Sequence, residues 1–445
     1  MRSIYIFLLL FFLQLIGKAQ SYFPLPAITD TAQFNKGVSR TAGLLYSATQ
    51  NNPVEVRILV YGQSISVQEW WKDVKHFIEN RFPFARINMI NKAIGGFSSE
   101  RLKLTVENDV VPFYPDLVLF HDYGNEQDYE KIIQVIRNKT TSEIALQTDH
   151  MAMQSQEWHD KHSAEWLPSI SKKYGLAIID VRKTWKLYLQ QNKLQIKDLL
   201  MDGVHLNAHG NYLMGSIINK YFEGVHPNLV KSEFVEEQLE GEHFTVDGKV
   251  LKMYVTGNRV DIVTHKKAKK AKKIGVEVNG KKPAKINNCY YYTRPTLDST
   301  KSFLTRIGQP LAMRLVGDVV EEDWTMTIIW VDSVKQQLGF SIRGSLKGAD
   351  GVGRSDSLFT SISNTIVIDP SWWFRAKEFA KFPWLAPGDE LSWQVKSMCV
   401  NKFTTAPDQT TTVLQGLKNS KHRLKLKGKG VKQIKAIRVY EPPLK

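Results

Sequence analysis

Between Val56 and about Gly224, five short apolar runs alternate with segments of helical periodicity, and this alternation confines the N-terminal half to very few architectures. Strands buried on both faces read as near-continuous Val, Ile and Leu, and a helix between successive strands returns the chain to the same sheet in a parallel direction. Strands are predicted at 56–61, 86–91, 116–121, 143–148 and 175–181. After the first of them Val67, Trp70, Trp71, Val74, Phe77 and Ile78 recur at helical spacing, and after the third Tyr129, Ile132, Ile133 and Ile136 do the same. Trp70 and Trp71 therefore read as helix-to-sheet packing. Ser66 followed by Glu69 predicts a capping box at the start of the first helix. That would put Ser64 just ahead of a helix N-terminus, where partial positive charge favours a developing anion.

Beyond Tyr221 the pattern changes to short β-rich runs, such as 250–255, 325–330 and 436–440, separated by Gly, Asn, Asp and Lys turns. These predict one or two β-sandwich domains. The expected division is a leader at 1–19, an N-terminal segment at 20–53, the α/β domain at 54–224 and a β-sandwich-like region at 225–445. The leader is expected because Arg2 precedes the apolar run Ile4 to Leu13, with small residues at Gly17 and Ala19. It implies a secreted or periplasmic protein without stable membrane insertion, since the run falls short of the ~20 residues of a membrane span.

In an exported chain, Cys289 and Cys399 are either one disulfide or two buried thiols, and two cysteines cannot build a four-thiolate zinc site. A formal net charge of +16 suggests attraction to an anionic polymer. Nucleic acid is not the expected partner, because export removes the chain from it and no recognition motif is present. The densest basic run, Lys266 to Lys273, reads as a solvated hairpin loop between strands.

Open parallel sheets place their sites at the C-terminal ends of strands, and each strand end here carries a chemical signal. The first leads into Gly62-Gln63-Ser64 and presents a serine hydroxyl, a weak nucleophile until a base takes its proton. Gly95 and Gly96 follow the second, where a backbone amide can approach a substrate unobstructed. The third leads to His121-Asp122-Tyr123-Gly124-Asn125-Glu126, in which Asn125 offers an amide donor, while His121 and Asp122 read as a structural hydrogen bond. After the fourth come Asp149 and His150, expected either to contact substrate or to shape the pocket. Near the end of the domain Asp202 stands three residues before His205, so that the carboxylate can fold back onto Nδ1 and leave Nε2 free to act as a base.

Together these blocks resemble the SGNH (GDSL-type) hydrolase family over roughly residues 54–222. The first block of that family reads Gly-Asp-Ser, here Gly62-Gln63-Ser64. The second, Asn-x-x-Ile-x-Gly, is matched by Asn91, Ile94 and Gly96. The third, Gly-x-Asn-Asp, is altered to Gly124-Asn125-Glu126, and the last, Asp-x-x-His, is Asp202 and His205. The resemblance implies a flavodoxin-like three-layer domain and an acyl-enzyme mechanism needing no metal or organic cofactor. In it Ser64 is the nucleophile, His205 the base and Asp202 its orienting carboxylate. The amides of Ser64, Gly96 and Asn125 would form the oxyanion hole, with Gly95 in reserve. Gln63, Gly95, Asp149 and His150 are further candidates for substrate contact.

The expected activity is removal of O-acyl groups, O-acetyl above all, from an oligosaccharide or polysaccharide or another acylated small substrate. Glycosidic cleavage on the same fold and a catalytically inactive glycan-binding protein stand as alternatives. Six tryptophans of the C-terminal half, Trp324, Trp330, Trp372, Trp373, Trp384 and Trp393, could supply a sugar-stacking surface, although core packing suits most of them better. Trp372 and Trp373 are the pair expected at the surface, since neighbouring strand residues point to opposite faces.

Overall fold

The structure, a computed structural model, describes residues 23–27, 36–226, 232–268, 270–297, 306–375 and 383–444. The expected leader lies outside them. Among the described residues no helix is long and apolar enough to cross a membrane.

The N-terminal half runs α1 (Ser39–Ser47), β1 (Val54–Gly62), α2 (Ser64–Val67), α3 (Trp70–Arg81), β2 (Ala85–Asn91), α4 (Ser99–Val110), β3 (Leu117–His121), α5 (Glu126–Lys139), β4 (Glu143–Gln147), α6 (Gln156–Lys161), α7 (Leu167–Tyr174), β5 (Ala177–Ile179), α8 (Val181–Gln191) and α9 (Ala208–Gly224). A single π turn, His162–Trp166, joins α6 to α7. All five strands are parallel, in the order β2-β1-β3-β4-β5. This is the flavodoxin-like order, with its topological switch between β1 and β3. Each face of the sheet buries its own core. One holds Val56, Ile58 and Val60 against Trp70, Val74 and Ile78 of α3 and the apolar side of α9. The other packs Leu59, Tyr61, Val118 and Phe120 against α4, α5 and α7. The N-terminal segment belongs to this domain as well, since Val38, Ala42 and Leu45 join the first core and the Glu143 carboxylate accepts the amides of Arg40 and Thr41 at 2.8 Å each.

Two local expectations are corrected. Ser66 and Glu69 form no capping box: the helix breaks at Gln68, Ser66 is buried inside α2, and Glu69 occupies the N-cap of α3 without a capping bond. Gln63 caps α2 instead, its Oε1 accepting the Ile65 amide at 3.0 Å. The basic run 266–273 is not a hairpin loop either, because the strands on its two sides, Val250–Thr264 and Lys273–Val278, are separated in the sheet by Thr410–Lys427.

The strands of the C-terminal half are, in chain order, β6 (Val235–Leu239), β7 (Val250–Thr264), β8 (Lys273–Val278), β9 (Tyr290–Tyr292), β10 (Arg314–Leu315), β11 (Glu322–Asp332), β12 (Gln337–Gly344), β13 (Gly348–Arg354), β14 (Phe359–Thr360), β15 (Ile366–Ile368), β16 (Glu390–Ser397), β17 (Lys402–Thr404), β18 (Thr410–Lys427) and β19 (Ile434–Tyr440). A six-stranded sheet has the order β17-β8-β18-β7-β19-β6, with β18 lying between β7 and β8. Inserted within it are a five-stranded sheet, β13-β12-β11-β16-β9, and a three-stranded one, β10-β15-β14, which share a second core around Trp324, Phe340 and Trp393. The half thus has two β units, with two separate cores. Cys289 and Cys399 form a disulfide, with Cα atoms 5.6 Å apart, that closes the base of the insertion. Trp324, Trp373 and Trp393 are buried, whereas Trp372 is half-buried beside its buried neighbour.

The two halves meet over α4. Arg294 holds both oxygens of Asp109 at 2.6 Å and donates to the Lys92 carbonyl at 2.6 Å, so a guanidinium from the β-rich half is fastened to the loop that follows β2. Tyr61 reaches the same Asp109 carboxylate from β1, at 3.3 Å.

Candidate active site

Ser64 stands where β1 ends, beside the topological switch. Gly62 pairs with His121 across the β1–β3 edge at a φ of +141°, and a Cβ there would run into the His121 carbonyl, so only glycine lets the chain turn this tightly. The turn delivers Ser64 to the first position of α2.

His205 reaches it from the loop before α9. Its Nε2 lies 3.0 Å from Ser64 Oγ, and its Nδ1 donates to Asp202 Oδ2 at 2.9 Å. The other Asp202 oxygen accepts the backbone amides of Val204 and His205 at 2.7 and 2.8 Å. Although its side chain is 56% exposed, Asp202 is held down at about 2, chiefly by the His205 amide and then by the His205 ring and the Val204 amide. The carboxylate is thus ionised, and it fixes the imidazole tautomer that leaves Nε2 to accept the serine proton.

Two devices hold this loop against α2. Gln68 makes a two-point amide clamp, donating to the Leu206 carbonyl at 2.8 Å and accepting the Leu206 amide at 2.9 Å. From the other side His150 donates from Nε2 to the Val204 carbonyl at 2.7 Å, and the Met153 amide donates to the Gly203 carbonyl at 2.8 Å. His150 is buried, and desolvation pushes its pKa down to about 4, so it is a neutral donor near pH 7.

Gln63 does not face the cleft. It is buried behind Ser64, with Oε1 2.9 Å from the serine hydroxyl and Nε2 donating to His121 Nδ1 at 2.9 Å. The His121 Nε2–H then donates to Asp149 Oδ1 at 3.2 Å. The second Asp149 oxygen accepts from Nδ1 of His159 at 2.6 Å. Asp149 is only 1% exposed, and the two imidazoles hold its pKa well below the ordinary carboxylate value against the opposing cost of burial. A continuous series of hydrogen bonds therefore runs Gln63, His121, Asp149, His159 from behind Ser64 to the rim. Asp149 and His150 shape the site from within, and no exposed loop histidine is present at 150.

The glycine pair lies beside Ser64. A Cβ on Gly95 would stand 4.0 Å from Ser64 Cβ, and Gly96 has a left-handed φ of +77°. Asn125 is exposed at the N-cap of α5, where its Oδ1 accepts the Asp128 amide at 3.1 Å and its Nδ2 has no partner among the described residues. Tyr123 is a neighbour that its sequence position does not single out: its ring lies edge-on to His121 and His159, with centroids 6.3 and 6.0 Å away, and burial pushes its phenol up to about 12. Asp122 is buried, and desolvation raises its pKa well above the ordinary carboxylate value.

These features define a three-layer α/β domain with a serine, an imidazole and a carboxylate in hydrogen-bonded sequence at the switch point. No family model matches the chain. No curated protein matches it. Among solved structures it is similar to a two-domain esterase active on acetylated mannans, co-crystallised with mannopentaose, at 13% identity over 88% of this chain and 92% of that one, with a TM-score of 0.34. It is also similar to the acetylxylan esterase Axe2 from Geobacillus stearothermophilus, at 19% identity over 38% of this chain and 96% of that one, TM-score 0.34. A third is the lipase/acylhydrolase from Enterococcus faecalis, at 18% identity over 38% and 96%, TM-score 0.33. At such values these likenesses carry no argument about chemistry.

Proposed function

We propose that this protein is a serine esterase of the SGNH type that removes O-acyl groups, O-acetyl foremost, from an oligosaccharide or polysaccharide. The observation that carries the reading is the series Ser64 Oγ, His205 Nε2, His205 Nδ1, Asp202 Oδ2, with its 3.0 and 2.9 Å links. In this mechanism Ser64 attacks the ester carbonyl while His205 Nε2 takes its proton. The tetrahedral intermediate then breaks its C–O bond to the sugar as His205 gives that proton to the departing oxygen, so the sugar leaves as an alcohol and an acyl-enzyme remains. Water, deprotonated by the same imidazole, attacks the acyl-enzyme, releases the carboxylic acid and restores Ser64. Asp202 keeps the ring oriented and stabilises its charged form.

The backbone amides of Ser64 and of the Gly95-Gly96 turn, with Asn125 Nδ2, would donate to the tetrahedral oxyanion, each such donor being worth about 10²–10³ in rate. The serine hydroxyl has two acceptors within reach, His205 Nε2 and Gln63 Oε1 at 2.9 Å, and attack requires the former. Export after loss of residues 1–19 belongs to the same proposal, and N-terminal sequencing of the exported protein tests it. Release of acetate from p-nitrophenyl acetate and from O-acetylated oligosaccharides, compared between the wild type and Ser64→Ala, tests the chemistry. Hydrolysis that survives Ser64→Ala would remove the nucleophile assignment.

A further inference from the structure

The Asp149–His159 pair repeats the arrangement of Asp202 and His205. A carboxylate accepts from Nδ1 at 2.6 Å, and Nε2 has no partner among the described residues. This second imidazole does not face Ser64 directly. Its ring lies edge-on to Tyr123, with centroids 6.0 Å apart, and it is linked to the Ser64 hydroxyl through Asp149, His121 and Gln63. With Nδ1–H spent on a buried carboxylate, the ring has a fixed orientation and a fixed tautomer. A rim imidazole held this rigidly costs little further entropy when it binds a ligand.

Next to it the same helix offers a flat apolar surface. Trp158 is 39% exposed, and one face of its indole is stacked on His162 with centroids 4.6 Å apart and planes 13° from parallel. His162 stacks in turn on Trp166, at 4.9 Å and 16°. The imidazole between the two indoles is buried, neither of its nitrogens has a hydrogen bond, and Glu126 at 3.6 Å is too distant to make one. This three-ring stack spans the π turn His162–Trp166, an irregularity that occurs often at functional sites because it re-aims side chains. It braces one face of Trp158 while the residue stays 39% exposed. Arg182 anchors the segment from below, donating to the His150 carbonyl at 2.8 Å and to Gln156 Oε1 at 2.7 Å.

We infer that Trp158 and His159 form a sugar subsite beside the nucleophile: the face of Trp158 turned away from His162 stacks on the C–H face of a pyranose ring, and His159 Nε2 hydrogen-bonds a hydroxyl of that sugar. A flat indole beside one fixed polar atom suits a ring with apolar faces and a polar rim better than it suits an acyl chain, which would ask for an enclosed apolar slot. The inference rests on the esterase reading for the location of the reacting ester. To the carbohydrate substrate already proposed it adds a subsite with two named residues.

The test compares two substrates of the full chain, p-nitrophenyl acetate, which carries no sugar, and partly O-acetylated xylo-oligosaccharides. The readout is the ratio of their kcat/KM values. Trp158→Ala is expected to lower that ratio about tenfold, mainly through KM for the oligosaccharide, a loss of the size of one stacking contact. Two variants of His159 separate contact with sugar from a structural role. His159→Gln can place an N–H near the position of Nε2 but gives up Asp149, whereas His159→Asn keeps a donor to Asp149 but falls short of the substrate. A sugar contact predicts that the asparagine variant loses the ratio and the glutamine variant recovers part of it. The reverse order, or equal losses on both substrates, would overturn the subsite. Indole fluorescence of Ser64→Ala titrated with deacetylated xylo-oligosaccharides gives a readout independent of hydrolysis. If no ester is cleaved yet a sugar-dependent signal is lost in the Trp158→Ala double variant, the esterase reading fails and the subsite stands. No sugar-dependent signal and no change in the ratio would remove the subsite while leaving the chemistry at Ser64 untouched.

Discussion

Two aspartates each orient an imidazole in this domain, by opposite physical means. Asp202 lies on a surface turn, and what holds its pKa down is local: two backbone amides and one ring within three residues of sequence. Asp149 sits at the end of β4, out of water, and is kept ionised by two histidines drawn from 28 residues before it and 10 after. The first arrangement is cheap to build and tolerates the movement of a proton, since solvent reaches it. The second is fixed by packing, and loss of either side would leave a buried group without a partner. We expect the exposed pair to govern rate and the buried one to govern architecture and the choice of substrate.

The largest effect should come from the imidazoles themselves. His205→Ala removes the base and is expected to lower kcat on p-nitrophenyl acetate by about 10⁴-fold or more, with no further loss when Ser64→Ala is added, because residues acting as a unit are not additive. His159→Asn should instead act on the ratio between acetylated oligosaccharide and p-nitrophenyl acetate. A parallel collapse on both substrates would end the contrast between the two pairs.

Next comes the buried carboxylate. Asp149→Asn replaces a charge held by two imidazoles with an amide that can satisfy only one of them as an acceptor, and it is expected to cost about 3–5 kcal/mol of stability, measured by urea unfolding. Asp202→Asn should leave unfolding nearly unchanged and lower kcat by about 10²–10⁴-fold, because the amide no longer fixes the tautomer that frees Nε2. A variant pair with these effects exchanged would show that burial is the wrong guide to their roles.

The unequal legibility of the two pairs in the sequence follows from the same difference. Asp202 and His205 are visible because their contact is local, and Ser64 because an apolar strand delivers it. The five strands were equally plain, with ends within two residues of those observed. His159 gives no such sign: Gln156-Glu157-Trp158-His159 reads as the polar start of a surface helix, and its significance depends on Asp149 reaching it across a turn. One usable trace existed, aromatic rings at 158, 162 and 166, which helical periodicity assigns to packing. The capping box failed because Gln68 breaks the helix and spends its amide on Leu206, a tertiary contact. The expected hairpin failed because β18, well over a hundred residues later, inserts between the two strands. Nothing local marks either event.

The smallest effect is one of pH, and it separates the pairs without changing the Asp149 or Asp202 carboxylates. His150 is neutral and buried with its pKa lowered to about 4 from the ordinary 6.5, and it faces His121, Asp149 and His159 within the same cluster. Between those values the unfolded chain binds a proton that the folded one refuses, so stability rises with pH across the window and is lost as pH falls from 6.5 towards 4. Asp149 contributes only at the acid end of the window, since a carboxylate held below its ordinary 3.8 begins to lose its contribution about one unit above that value. Asp202, at about 2, remains ionised throughout the window, so it cannot set the acid limb of activity. We therefore expect the midpoint of thermal unfolding to fall between pH 6.5 and 4, and to fall less in His150→Gln, which keeps a donor for the Val204 carbonyl without a titrating ring. An equal slope in that variant would assign the acid sensitivity to groups outside the buried cluster, and the cluster would then be a hydrogen-bonded support with no part in the response to pH.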